Sequence, residues 1–213
     1  MKQHLGWAFP DVDKFMVGQL KSDGTYQGSH LDAAMTFVTD TRLAIDGGAH
    51  VGTWTKRLSA LFEEVIAVEP SPDTFEALVD NIQRFTLANV SAKQVALGCQ
   101  RGRVSMTLDA KNEARANTGA RFVQPGEDVF VVTIDEWNLT ALGFLKLDIE
   151  GSEVLALQGA VQTIKRCQPI ILFENKKLWT RYGFAATAPQ TLLTQLGYRQ
   201  LSVVGCDLIY GPR

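Results

Sequence analysis

The sequence predicts an α/β fold, a doubly wound and mainly parallel sheet with helices on both faces. Three observations carry this. Short apolar-rich runs alternate with segments of helical period from Thr41 onward, the pattern of strands linked by crossover helices. A glycine-rich turn follows the first of these runs directly. The composition also suits one sizeable core, with 46% hydrophobic and 21% charged residues in a chain of 213, inside the ordinary globular range.

The elements follow in order. Residues 1–40 form a lead-in belonging to the same domain, and residues 41–213 form its body. Leu43-Ala44-Ile45 is a buried strand, followed by the glycine turn and a helix over Val51 to Phe62. Val65 to Val68 is the second buried strand. Ser71-Pro72-Asp73 opens the next helix, with Ser71 as cap, Pro72 at the first helical position and Asp73 at the positive end of the dipole. That helix runs to about Phe85, and Val90 to Leu97 is the next strand.

Arg101 to Ile134 break the rhythm. Val104 to Leu108 and Val129 to Ile134 read as strands around a polar, mobile stretch from Asp109 to Thr118. Leu142 to Ile149 is again a buried strand, and the helix after it sets Val154, Leu157, Val161 and Ile164 on one face. Pro169 to Phe173 is a strand and Pro189 to Leu196 a helix. Tyr198 to Tyr210 form a hairpin turning at Gly205-Cys206.

A net charge of −2 argues against a broad electrostatic grip on nucleic acid. No apolar stretch reaches the eighteen residues of a membrane span, and Met1 to Trp7 lack the apolar run of a secretory signal. The three cysteines, Cys99, Cys167 and Cys206, are far apart. Neither zinc nor a disulfide framework has the spacing it needs. They read as buried or partly buried thiols of a cytoplasmic protein.

In doubly wound sheets ligands bind beyond the carboxyl ends of the strands, where the strand order reverses. That rule selects Asp46 to Gly52, Glu69, Lys146 to Glu150, and Glu174. A glycine turn between strand and helix admits a ligand close to the backbone. Ala49 stands where the dinucleotide fingerprint has its second glycine, and Asp46 immediately precedes the glycines. A carboxylate there repels a pyrophosphate but suits a ligand carrying an ammonium and a sulfonium, which is S-adenosylmethionine. Glu69, 23 residues beyond Asp46, is placed to accept both ribose hydroxyls of an adenosine.

From about Tyr26 to the C-terminus the chain resembles the FkbM-type methyltransferases. The matching segments are Asp46-Gly47-Gly48-Ala49-His50-Val51-Gly52, Val68-Glu69-Pro70-Ser71-Pro72, Asn89-Val90, Ala96-Leu97-Gly98, Asn117-Thr118-Gly119, Thr133-Ile134-Asp135 and Lys146-Leu147-Asp148-Ile149-Glu150-Gly151-Ser152-Glu153. The last, with Pro169 to Glu174 downstream, is the most specific. The resemblance implies a Rossmann-like class I methyltransferase fold, a seven-stranded sheet whose last strand is antiparallel, and usually methyl transfer to a hydroxyl oxygen of a sugar or other small acceptor. It puts Asp46, Gly48 and Glu69 around the methionine and ribose parts of the cofactor, with His50, Gly52 and Pro70 in the same motifs. Ala96 and Leu97 fall near the adenine, Asp148 near the transferable methyl, and Asn117 on the substrate side.

A hydroxyl acceptor benefits from a base that takes its proton as the new bond forms. With His4, His30 and His50 the only histidines, Asp148, Glu150 and Glu174 are the candidate bases, Asp148 or Glu174 foremost. Lys146 and Lys176 are placed to orient the acceptor or lower its charge. Three carboxylates at neighbouring strand ends also suit Mg²⁺ or Ca²⁺. However, residues 148 and 150 share a face only if the strand continues that far, and acids at a helix start favour the reading without metal. Lys111 to Asn117 suits a substrate lid. A non-catalytic nucleoside-binding module and a nicotinamide-dependent oxidoreductase are the alternatives, and Asp46 speaks against the second.

Overall fold

The computed structural model describes residues 1–213. The lead-in forms a hairpin, Lys2–His4 (β1) with Trp7–Phe9 (β2), then two helices, Phe15–Gln19 (α1) and Gly28–Met35 (α2). The body alternates from Leu43–Gly47 (β3) through Thr53–Ser59 (α3), Glu64–Val68 (β4) and Pro72–Arg84 (α4) to Val90–Lys93 (β5). Next come Ala96–Leu97 (β6), Gly102–Thr107 (β7), Ala110–Ala114 (α5), Phe122–Pro125 (β8) and Val129–Val132 (β9). The alternation then resumes with Phe144–Leu147 (β10), Glu153–Gln158 (α6), Val161–Cys167 (α7), Ile170–Glu174 (β11) and Ala188–Gln195 (α8). Tyr198–Val204 (β12) and Asp207–Pro212 (β13) close the chain as a hairpin.

The apolar runs assemble into a seven-stranded sheet in the order β12-β13-β11-β10-β3-β4-β5. Strands β11, β10, β3, β4 and β5 are mutually parallel, and β13 runs antiparallel to β11 and β12. The chain leaves β3 toward one edge and returns through β10 toward the other, so the switch point lies between β3 and β10. Alternation along each strand divides the core in two. Ile45, Leu145, Leu147, Ile171 and Phe173 pack with α6, α7 and α8, whereas Ala44, Phe144, Leu172 and Ile209 pack with α2 and α3. No helix is long and apolar enough to cross a membrane.

Several local expectations are corrected. The first body helix starts at Thr53, because His50 and Gly52 hold φ of +52° and +93°. The run from Val90 to Leu97 is two strands. After Lys93 the chain crosses to a second sheet, ordered β6-β9-β7-β8, a change of partner that periodicity does not encode. Asp109 to Thr118 is not simply a polar loop: Asp109 caps α5 by accepting the Asn112 N–H at 2.8 Å. The single helix expected after Ile149 is two, broken at Gly159. A Cβ there would lie 2.0 Å from the Gly98 carbonyl oxygen, so helix and second sheet meet only over glycine. Ser71 makes no capping bond, and its own N–H donates to Glu69 Oε1. Cys99 and Cys206 are exposed and Cys167 half-buried, because a strand-to-strand crossing and a hairpin turn carry the first two.

Candidate functional site

A cavity of about 1010 Å³, counting its open mouth, lies beyond the carboxyl ends of the strands at the switch point. At one end, Gly48 and His50 of the glycine turn face Glu69, Pro70 and the apolar Ala96 and Leu97. Gly48 holds φ of +77°, and a Cβ on it would stand 1.9 Å from the Asp148 carbonyl oxygen. Only glycine allows the β3 turn to approach the β10 turn this closely.

Glu69 is buried at the wall. Its Oε2 accepts the His50 N–H at 3.0 Å and its Oε1 the Ser71 N–H at 2.9 Å. Burial pushes its carboxyl above the usual range, against the pull of His50 and the Ser71 backbone. The N–H groups of Gly48 and Ala49 donate to the Val68 carbonyl. The N–H groups of Gly48, Ala49 and His50 are thus already taken, and Glu69 supplies the carboxylate at this end of the cavity.

Asp46 departs from its expected role. It is fully buried and absent from the cavity wall. Residue 146 pairs with residue 46 in the β10–β3 register, which sets Lys146 Nζ 2.9 Å from Asp46 Oδ1, while Thr55 Oγ1 donates to Asp46 Oδ2 at 2.7 Å. The same ammonium reaches the Gly48 carbonyl at 3.0 Å and that of Gly47 at 3.4 Å. Lys146 lines the cavity, but these acceptors occupy its three donors. Burial pulls its charge down, and Asp46 and Asp148 more than restore it. Gly52 also lies outside the wall, packed against Leu78.

At the other end, Asp148, Glu150 and Glu174 each bring an oxygen within 4.8 Å of the others. The strand stops at Leu147. A turn, with Glu150 at φ +52° and Gly151 at +109°, swings residue 150 back beside residue 148. Glu153 Oε1 braces that turn by accepting the N–H groups of Ile149 and Gly151 at 3.2 and 3.1 Å. Convergence therefore needs no strand continuation, contrary to the expectation from spacing.

The ammonium of Lys176 lies 2.8 Å from Glu174 Oε1 and 3.6 Å from Glu150 Oε1. Burial and the facing Asp148 push Glu150 up to about 7 and Glu174 to about 8, with Lys176 pulling both down. Perturbed carboxyls converging in a cavity make this end the candidate reactive site.

Asn117 lines the same cavity, as do Phe15, Met16 and Tyr26 of the lead-in. Tyr26 is pushed up to about 12 by burial and by the charge of Asp148. Phe15 and Met16 escaped the sequence reading. Nothing in their local pattern marks them, and only the fold of the lead-in over the strand ends brings them there.

Strand order, an antiparallel last strand and a cavity at the switch point define a Rossmann-like class I methyltransferase fold. The chain belongs to the Methyltransferase FkbM domain family, whose model matches residues 46–199. Methyltransferase 1 of Beauveria bassiana (strain ARSEF 2860) is 23% identical, over 56% of this chain and 59% of that protein. The crystal structure of methyltransferase FkbM from Methylobacillus flagellatus KT superposes with a TM-score of 0.52 at 18% identity, covering 96% of this chain and 48% of that one. SMU.1697c from Streptococcus mutans, solved in complex with SAH, superposes with a TM-score of 0.50 at 11% identity, covering 86% and 96%. The chain thus spans roughly half the length of the first two relatives.

Proposed function

We propose that this chain is an S-adenosylmethionine-dependent methyltransferase acting on a hydroxyl oxygen of a sugar or other small-molecule acceptor. One observation carries the reading: a single cavity joins the Glu69 end to the Asp148, Glu150, Glu174 and Lys176 end. The residues fit the cofactor. Each Glu69 oxygen holds one backbone N–H and keeps acceptor capacity for a ribose diol. Gly48 lies in the same wall, and Ala96 and Leu97 offer an apolar surface for a purine. Family membership and the SAH-bound likeness support the same choice.

When bound, S-adenosylmethionine supplies a methyl group on a sulfonium, transferable by in-line displacement. The protein aligns and deprotonates. Asp148 or Glu174 would take the proton of the acceptor hydroxyl as that oxygen is methylated. A carboxyl near 8 binds that proton more readily than an ordinary one. Glu150, Lys176 and Asn117 hold the acceptor. Lys146 is assigned to keeping the glycine turn in place through Asp46 and the Gly48 carbonyl.

Calorimetric titration with S-adenosylmethionine and S-adenosylhomocysteine tests this. Glu69→Ala should weaken binding by about 1.5–3 kcal/mol, the worth of hydrogen bonds to a charged group. A screen of acceptors, sugars first, should then release S-adenosylhomocysteine. Folded wild-type protein that binds neither compound overturns the proposal.

A further inference from the structure

Three side chains far apart in sequence meet at the Glu69 end of the cavity, His50 and Thr118 in its wall and Asp13 behind them. Asp13 comes from the lead-in, His50 from the glycine turn, and Thr118 from the segment after α5. Asp13 is fully buried. Its Oδ1 accepts the Met16 N–H at 3.0 Å and its Oδ2 the Thr118 hydroxyl at 2.6 Å. His50 Nε2 lies 2.8 Å from Thr118 Oγ1 and 3.2 Å from Asp13 Oδ2.

The protons of this cluster can be counted. Thr118 has one hydroxyl proton, and an ionised Asp13 only accepts. Burial alone would raise the Asp13 carboxyl, but His50 and the bonds from Thr118 and Met16 outweigh it and hold the group below its ordinary value. The Thr118 proton therefore goes to Asp13. His50 Nε2 must carry the ring proton and donate it to the Thr118 oxygen. His50 Nδ1 is buried without a partner, so a proton there would be an unsatisfied donor. Both arguments select the same tautomer.

The cluster reaches the cofactor end by two routes. The His50 backbone N–H holds Glu69 Oε2. Phe15 and Met16 beside Asp13, and Asn117 and Gly119 beside Thr118, are cavity wall. The two segments are also tied by Lys14 and Phe15 N–H groups on the Ala116 carbonyl, at 3.0 and 3.4 Å. We infer that Asp13 is a positioning residue for cofactor binding: with Thr118 and His50 it clasps the lead-in and the 116–119 segment over the glycine turn and fixes the backbone donor to Glu69. The inference rests on the proposed cofactor site.

Asp13→Asn keeps the shape but puts an amide donor where Thr118 and His50 need an acceptor. It should weaken S-adenosylhomocysteine roughly tenfold and move the His50 ring proton to Nδ1 in long-range ¹⁵N–¹H spectra. A role confined to stability would leave that tautomer unchanged. Thr118→Val should show a similar loss, while Thr118→Ser stays within about twofold of wild type because the hydroxyl is retained. This pair carries the test if Asp13→Asn does not fold. Wild-type affinity in folded Thr118→Val or Asp13→Asn overturns the clasp. Wild-type protein that fails to bind S-adenosylhomocysteine overturns the proposed function instead. The free-protein spectrum then decides the clasp alone: an Nδ1–H His50 refutes it, and an Nε2–H His50 that flips in Asp13→Asn supports it.

Discussion

Lys146 and Lys176 both face carboxylates near the carboxyl ends of adjacent strands, yet their surroundings differ. Lys146 lies inside β10 with a side chain 4% exposed, bound to a fully buried Asp46 and to carbonyls of the glycine turn. Lys176 lies beyond β11 with a side chain 45% exposed, sharing Glu174 and Glu150 at the cavity. The first pair is fixed by cross-strand register, and every donor has an acceptor. The second is half-exposed at the cavity, and no strand register fixes it. A buried pair of this kind belongs to the scaffold, whereas the half-exposed lysine acts on the proton affinity of the carboxyls beside it.

Breaking the buried pair should have the largest effect. Lys146→Met leaves the Asp46 charge buried and unpaired, and should lower the unfolding free energy by about 3–5 kcal/mol in urea titrations. Asp46→Leu combined with Lys146→Met should recover most of it. A loss near zero in the single variant would place Lys146 outside the scaffold and return it to the reaction.

Lys176→Met should leave stability within about 0.5 kcal/mol and act on pH dependence. A carboxylate base works deprotonated, so methyl transfer should rise as pH climbs through about 7 to 8, where Glu150 and Glu174 titrate. Removing the neighbouring cation takes away the pull that lowers both groups, so the midpoint of the pH–rate profile should move upward. An unmoved midpoint would break the contrast between the lysines. The raised carboxyls also bind more protons folded than unfolded. Their contribution to stability should therefore fall as pH rises from the ordinary carboxylate range toward 8.

Tyr198 gives the smallest expected effect and sharpens the same comparison. Its hydroxyl is buried with no hydrogen-bond partner. Tyr198→Phe removes an uncompensated polar group and should change thermal stability by less than about 1 kcal/mol, in the stabilising direction. A marked loss would mean that the hydroxyl has a partner in solution.

Much of the site was legible in the sequence because it sits where strands end. Glu69, Asp148 and Glu174 each close an apolar run, and parallel strands gather their carboxyl ends on one side. Asp46 closes such a run too, and its position was readable while its partner was not. Nothing local distinguishes a carboxylate facing a cavity from one facing Lys146, which lies 100 residues on. Glu150 was picked out as well, but the condition that its strand continue did not hold: spacing along a strand says nothing of a turn that doubles back at Gly151.

By itself the sequence determined the alternation of strands and helices, the glycine turn and the acidic residues at the strand ends. These depend on periodicity and on backbone freedom, both local along the chain. The tertiary structure alone decided that Asp46 is neutralised inside the sheet, that a turn at Gly151 carries Glu150 beside Asp148, and that Asp13, Phe15 and Met16 reach the cavity region. Those outcomes depend on strand order, register and the path of the lead-in, which bring together residues that no local pattern links.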